Sequence, residues 1–190
     1  MMLNKYFYKL NLDFLSSPVL LDDPVHHNNL DVRWLTDSVD TNKYLSQQVK
    51  DLFAKLGIAT TSYMGPNTMS LFRGQPNGYL EPHIDRGTCW AINYVTGTDN
   101  SDMVWYSLKH GAEGYEIPTS NGRASYRAYH QQDLTELARE KLYGVYLVRI
   151  DLPHSIHNYD TKNYRWCFSL KDSNNRWTWE EAVEQFSKYE

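Results

Sequence analysis

Turn residues cut the middle of this chain into short pieces, and that constrains the fold more than anything else in it. Candidate strands run over 58–63, 68–73, 79–85, 88–95 and 103–108, separated by clusters such as GQPNG and TGTDNSD. Short runs rich in β-branched and aromatic residues, bounded by Gly, Pro, Asn and Asp, read as strands. The pattern resumes at 144–151, 154–158 and 164–171. Near the start, Tyr6, Tyr8, Leu10, Leu12 and Phe14 alternate with polar residues, which predicts a half-buried strand.

Helical patterns stand outside this region. Over 40–57 the residues Leu45, Val49, Leu52, Phe53 and Leu56 share one stripe, with Asp40 or Thr41 to cap the start and Gly57 to end it. TWEEAVEQFSKY predicts a terminal helix opened by a Thr178–Glu181 capping box, burying Trp179, Ala182, Val183 and Phe186. DLTELAREKL predicts a further short helix. With no internal repeat or linker, 1–190 reads as a single, mainly β domain: a sandwich or jelly roll with helices packed on one sheet.

Composition narrows the class of function. At 41% hydrophobic and 22% charged residues the chain reads as globular. A formal net charge of -4 argues against general phosphate-backbone binding, so no nucleic-acid partner is expected. Two cysteines, Cys89 and Cys167, form neither a disulfide framework nor a Cys-rich zinc motif. Lys9, Asn11 and Asp13 interrupt the apolar residues of the N-terminus, which therefore resembles neither a signal peptide nor a membrane span. A cytoplasmic location, away from membranes, is the expectation.

YLEPHIDRGTCWAINY carries the first chemical signal. In a regular strand Tyr79, Glu81, His83 and Asp85 share one face, and Leu80, Pro82 and Ile84 the other. An imidazole and a carboxylate aimed together are two legs of a facial triad, or simply a solvated strand end. DLPHSIHNYDTKNYRWCFSLK adds His154 and His157. Their odd separation sends them to opposite faces of an extended segment, so at most one reaches a shared metal. Alternation over 164–171 puts Tyr164, Trp166, Phe168 and Leu170 on one face and Arg165, Cys167, Ser169 and Lys171 on the other. Arg165 is then either surface charge or a planar cation held to grip a carboxylate.

The set H-x-D, H-S-I-x-N and a following Arg resembles the Fe(II)/2-oxoglutarate-dependent oxygenase superfamily, in its prolyl-hydroxylase and aspartyl/asparaginyl-hydroxylase flavour. PHIDRGTCWAINYV followed by MVWY also resembles that family's ligand strand and its neighbours, over roughly 71–170. The resemblance implies a double-stranded β-helix, a cupin-like jelly roll with flanking α-helices. It implies that His83, Asp85 and His154 hold Fe(II), with Asn158 as a partner on the face of His154. It also implies that Arg165 binds the far carboxylate of 2-oxoglutarate. The implied activity is a dioxygenase that hydroxylates a C–H bond of a peptide side chain or small metabolite, releasing succinate and CO2. Many relatives carry Ser or Thr two residues after the arginine, where this chain has Cys167, a weak donor. Asn93 or Tyr94 on the neighbouring strand would then assist the cosubstrate.

Substrate recognition is less legible. The polar stretch 109–132 holds Tyr115, Arg123, Tyr126, Arg127 and Tyr129 among Gly and Ser. It reads as a long loop, either a lid carrying substrate-binding groups (Tyr115, Arg123 and Arg127) or surface decoration. His26, His27, His110 and His130 have no ligand-like context. The rival to an oxygenase is a catalytically inactive jelly-roll binding module that retains a metal site.

Overall fold

The computed structural model describes residues 6–16, 34–62, 65–85, 87–118, 125–172, 174 and 176–190. In chain order its first strands are β1 (Phe7–Lys9), β2 (Trp34–Asp40), β3 (Thr60–Ser62), β4 (Gly65–Pro66), β5 (Thr68–Gly74), β6 (Tyr79–Ile84) and β7 (Trp90–Thr96). There follow β8 (Ser101–Leu108), β9 (Tyr115–Pro118), β10 (Ser125–Ala128), β11 (Leu134–Glu140), β12 (Gly144–Arg149), β13 (His154–Asn158) and β14 (Arg165–Asp172). The helices are α1 (Thr41–Tyr44), α2 (Gln47–Leu56) and α3 (Trp179–Phe186).

One sheet runs β1-β12-β7-β14, with β5 also on β14 and β2 on β5. The other runs β11-β8-β13-β6-β10-β9. From β5 to β8, and again from β11 to β14, successive strands alternate between the two sheets. That winding makes the fold a double-stranded β-helix, a jelly roll with flanking helices.

Alternation along each strand divides the core. Trp90, Ile92, Leu147, Trp166, Phe168 and Leu170 point out of the first sheet into a cluster with Val49, Phe53, Trp179 and Phe186 of the helices. Ala91, Val95, Val148 and Cys167 point the other way and meet Met103, Trp105 and Ile156 between the sheets. Val104, Tyr106, Tyr129 and Leu134 form a smaller cluster beyond the second sheet.

The helical region 40–57 is two helices rather than one. Leu45 is extended, and the Ser46 side chain accepts from Val49 N while its hydroxyl donates to the Asp13 carbonyl. Asp40 caps α1 and Gly57 ends α2 in a left-handed conformation, as glycine permits. The α3 capping box forms as the sequence predicts, over a buried Trp179, Ala182, Val183 and Phe186.

Two expectations fail. DLTELAREKL contains no α-helix: Leu134–Glu140 is β11, paired with β8 along its length. The exposed backbone of β8 offers a full ladder, and that outweighs the helix propensity of Leu, Glu, Ala and Arg. The stretch 109–132 is not an open loop either. β9 and β10 form an antiparallel hairpin, and β10 adds to β6 beside His83.

Candidate metal centre

The site begins with an irregularity in β6. His154 of β13 faces His83, but Ile156, two residues on, faces Leu80, three residues back. One extra residue is therefore accommodated around Glu81 and Pro82, where proline has no N–H to give the ladder. The simple alternation expected for 79–85 is broken. Leu80 packs with the inter-sheet cluster and Tyr79 lies against His157, with ring centroids 5.4 Å apart. Tyr79 thus belongs to the opposite side from His83.

His83 and His154 are cross-strand partners with ring centroids 4.5 Å apart. Asp85 follows the end of β6, its Oδ1 3.5 Å from His83 Nε2. Donor atoms of His83, Asp85 and His154 all lie within 4.8 Å of one another. Each imidazole is oriented by the backbone: Nδ1 of His83 is 2.9 Å from the Glu81 carbonyl and Nδ1 of His154 is 2.9 Å from that of Leu152. An N–H at each Nδ1 donates to its carbonyl and leaves both Nε2 lone pairs for a metal. Burial, together with neighbouring His83, pulls His154 down to about 4, so it is neutral at pH 7. Burial alone would raise Asp85. Lys171 and the two histidines outweigh it and hold the carboxyl well below its ordinary range. A neutral pair of imidazoles and a carboxylate is a donor set suited to a divalent metal with coordination positions left open.

Lys171 is the residue that sequence reasoning missed. Its Nζ lies 2.6 Å from Asp85 Oδ2, opposite the oxygen that faces His83. The alternation of β14 already placed Lys171 on the face of Arg165; only the three-dimensional path brings it to Asp85.

The other predicted residues divide clearly. Arg165 is fully buried, and burial lowers it below the ordinary guanidinium range while Cys167 acts against that shift. Cys167, on the same face, feels both Arg165 and the Asp85–Lys171 pair, so that face runs from Arg165 toward the triad. Asn93 lies in the row Ser70–Ser169–Asn93–Tyr146 across four strands. Its buried Oδ1 has no hydrogen-bond partner among the described residues. Tyr94 is not brought there: it stacks on Phe14 and Phe168 beneath the helices, at 5.5 and 6.1 Å.

His157 points away from the triad and lies 3.9 Å from the Tyr159 ring. Asn158 does not serve His154. Its Nδ2 donates to the Gln75 and Asn163 carbonyls and fastens the opposite end of β13. Tyr115 stacks on His130 at 4.7 Å, and Arg127 lies 6.0 Å from the Tyr129 ring on the side away from His83. Arg123, His26 and His27 fall outside the described residues. Tyr126 comes closer than any of these, its ring 5.1 Å from that of His83.

The chain matches no protein-family model and no curated protein. Among solved structures it is similar to an oxalate oxidase, at 13% identity and a TM-score of 0.36, over 75% of this chain and 53% of that one. The chain thus spans about half the length of that oxidase. A vicilin from hazelnut, Corylus avellana, aligns at 12% identity and TM-score 0.35, over 84% of this chain and 39% of that one. The E. coli protein ycfD aligns at 11% and 0.32, over 64% of this chain and 29% of that one. Among the described residues no helix is long and apolar enough to cross a membrane.

Proposed function

We propose that this protein is an Fe(II)- and 2-oxoglutarate-dependent dioxygenase that hydroxylates a C–H bond of a small molecule or peptide side chain. The observation that carries the reading is the convergence of His83, Asp85 and His154, with each imidazole's Nδ1 turned to a backbone carbonyl. The inward line of Arg165, Cys167, Ser169 and Lys171 on β14 supports it. Fe(II) held by the triad would couple oxidative decarboxylation of 2-oxoglutarate to succinate and CO2 with insertion of the second dioxygen atom into substrate.

This chain's residues supply the surroundings. Carbonyls of Glu81 and Leu152 hold the imidazoles in one orientation, and Lys171 occupies one oxygen of Asp85 so that the other faces the metal. Arg165 offers a fixed, water-shielded cation to the distal carboxylate of 2-oxoglutarate. Asn93, buried on β7 opposite Ser169, offers a hydrogen bond to the same ligand from its side-chain amide.

The test is succinate formation by purified protein given Fe(II), dioxygen and 2-oxoglutarate, paired with anaerobic calorimetry of 2-oxoglutarate on the Mn(II)-loaded form. Arg165→Ala should weaken 2-oxoglutarate by roughly 10- to 150-fold, the loss of a charge-assisted hydrogen bond, with Mn(II) affinity unchanged. Metal binding without 2-oxoglutarate binding or succinate would leave a jelly-roll metal-binding module instead.

A further inference from the structure

The Glu81 carboxylate stands beside the metal triad, and no cation among the described residues sits on it. Tyr126 donates its hydroxyl proton to Glu81 Oε1 at 2.9 Å, while its ring packs edge-on against His83. Among the described residues no lysine, arginine or histidine is paired with Glu81. Lys171, beside the triad, is already committed to Asp85. A second phenol, that of Tyr115, lies within electrostatic reach of Tyr126.

We infer that this corner receives the cationic end of the substrate, an ammonium or guanidinium group on a flexible aliphatic stem. Three features favour a cation over a neutral or acidic group. A half-buried carboxylate without a counter-ion gains most from an incoming positive charge. The face of a nearby tyrosine ring adds cation–π attraction for the same kind of group. An acidic group would meet Glu81 directly, and like charges at that distance repel strongly in a partly desolvated site. The bulge at Glu81–Pro82 makes the arrangement possible, because it re-aims this segment just before His83. The hairpin β9–β10 completes it, since Tyr126 and Tyr115 both come from that addition to β6. An aliphatic stem anchored at Glu81 would pass His83 and present its C–H bonds toward the triad.

This inference rests on the reading of the triad as an oxidising metal centre, but its test does not require turnover. The probes are Nα-acetyl-lysine amide, Nα-acetyl-norleucine amide and Nα-acetyl-glutamate amide, measured by saturation-transfer NMR on the full chain without 2-oxoglutarate. The lysine probe should bind at least about tenfold more tightly than the norleucine probe, and the glutamate probe most weakly. Mn(II) added to the same samples should broaden the side-chain methylene signals of the lysine probe before its acetyl signal. Glu81→Gln should erase the preference for lysine, whereas Tyr126→Phe, which keeps the carboxylate and the ring, should retain it. Equal binding of the three probes, or a lysine preference that survives Glu81→Gln, overturns the inference. A protein that forms succinate yet shows no such preference refutes only this assignment. A lysine preference without succinate refutes only the oxygenase reading.

Discussion

The two faces of β14 differ sharply in chemistry. One face, Trp166, Phe168 and Leu170, is apolar and sealed by α2 and α3. The other buries Arg165, Cys167 and Ser169 and ends at Lys171 on Asp85. Burial of the first face is favourable in itself, since about 25 cal/mol is gained for each Å² of apolar surface removed from water. Burial of the second is costly unless a ligand or partner compensates. A strand therefore carries stability on one side and function on the other, and mutations should separate the two.

The largest effect is expected on the helix-covered side. Phe168→Ala should lower unfolding free energy by about 3–5 kcal/mol, through lost transfer energy and a cavity. Urea denaturation measures it, and Co(II) affinity of the remaining folded protein should be unchanged. A large loss of metal binding there would mean that the two faces are not independent.

The second effect belongs to the triad and appears only without metal. Burial and neighbouring His83 hold His154 at about 4 when folded, against about 6.5 for an ordinary imidazole. Between those values the unfolded chain binds the extra proton, so stability rises with pH through that window and falls as pH drops. The expected change is about 3 kcal/mol from pH 6.5 to pH 4, read by urea denaturation at several pH values. A His154→Asn variant should lose that slope. Asp85, depressed instead, acts lower, below the ordinary carboxylate range.

The smallest effect is at Lys171. Its pair with Asp85 is partly solvated, so Lys171→Met should cost no more than about 1 kcal/mol of stability at pH 7. Carbon-detected NMR of the metal-free variant should show the Asp85 carboxyl titrating at higher pH than in wild type. A much larger loss of stability would place Lys171 with the structural residues of the other face.

Much of this division was legible in the sequence. Period-two alternation over 164–171 separated the faces of β14 correctly, because an edge-free, regularly paired strand has little freedom to depart from it. The family resemblance implied His83, Asp85 and His154 as the ligands, and the structure brings those three together. What failed was local irregularity and long-range approach. The extra residue at Glu81–Pro82 leaves no periodic trace, so Tyr79 was assigned to the side of His83. Tyr94, offered beside Asn93, had only its proximity to support it, and one residue of offset in a strand is a change of face. Lys171 meets Asp85 across 86 residues of sequence, a contact that only the closing of the barrel produces. β11 was read as helix because its residues favour helices in isolation, whereas the open edge of β8 decided the matter.

The most direct test of the whole account is Co(II) calorimetry on the wild type and on the His154→Ala and His157→Ala variants. The two histidines stand three positions apart on one strand, similar in chemistry but opposed in direction. The account predicts one Co(II) per chain in wild type, at least about a hundredfold weaker binding in His154→Ala, and affinity within about twofold of wild type in His157→Ala. Equal losses in both variants, or full affinity in His154→Ala, would contradict a metal centre built from His83, Asp85 and His154.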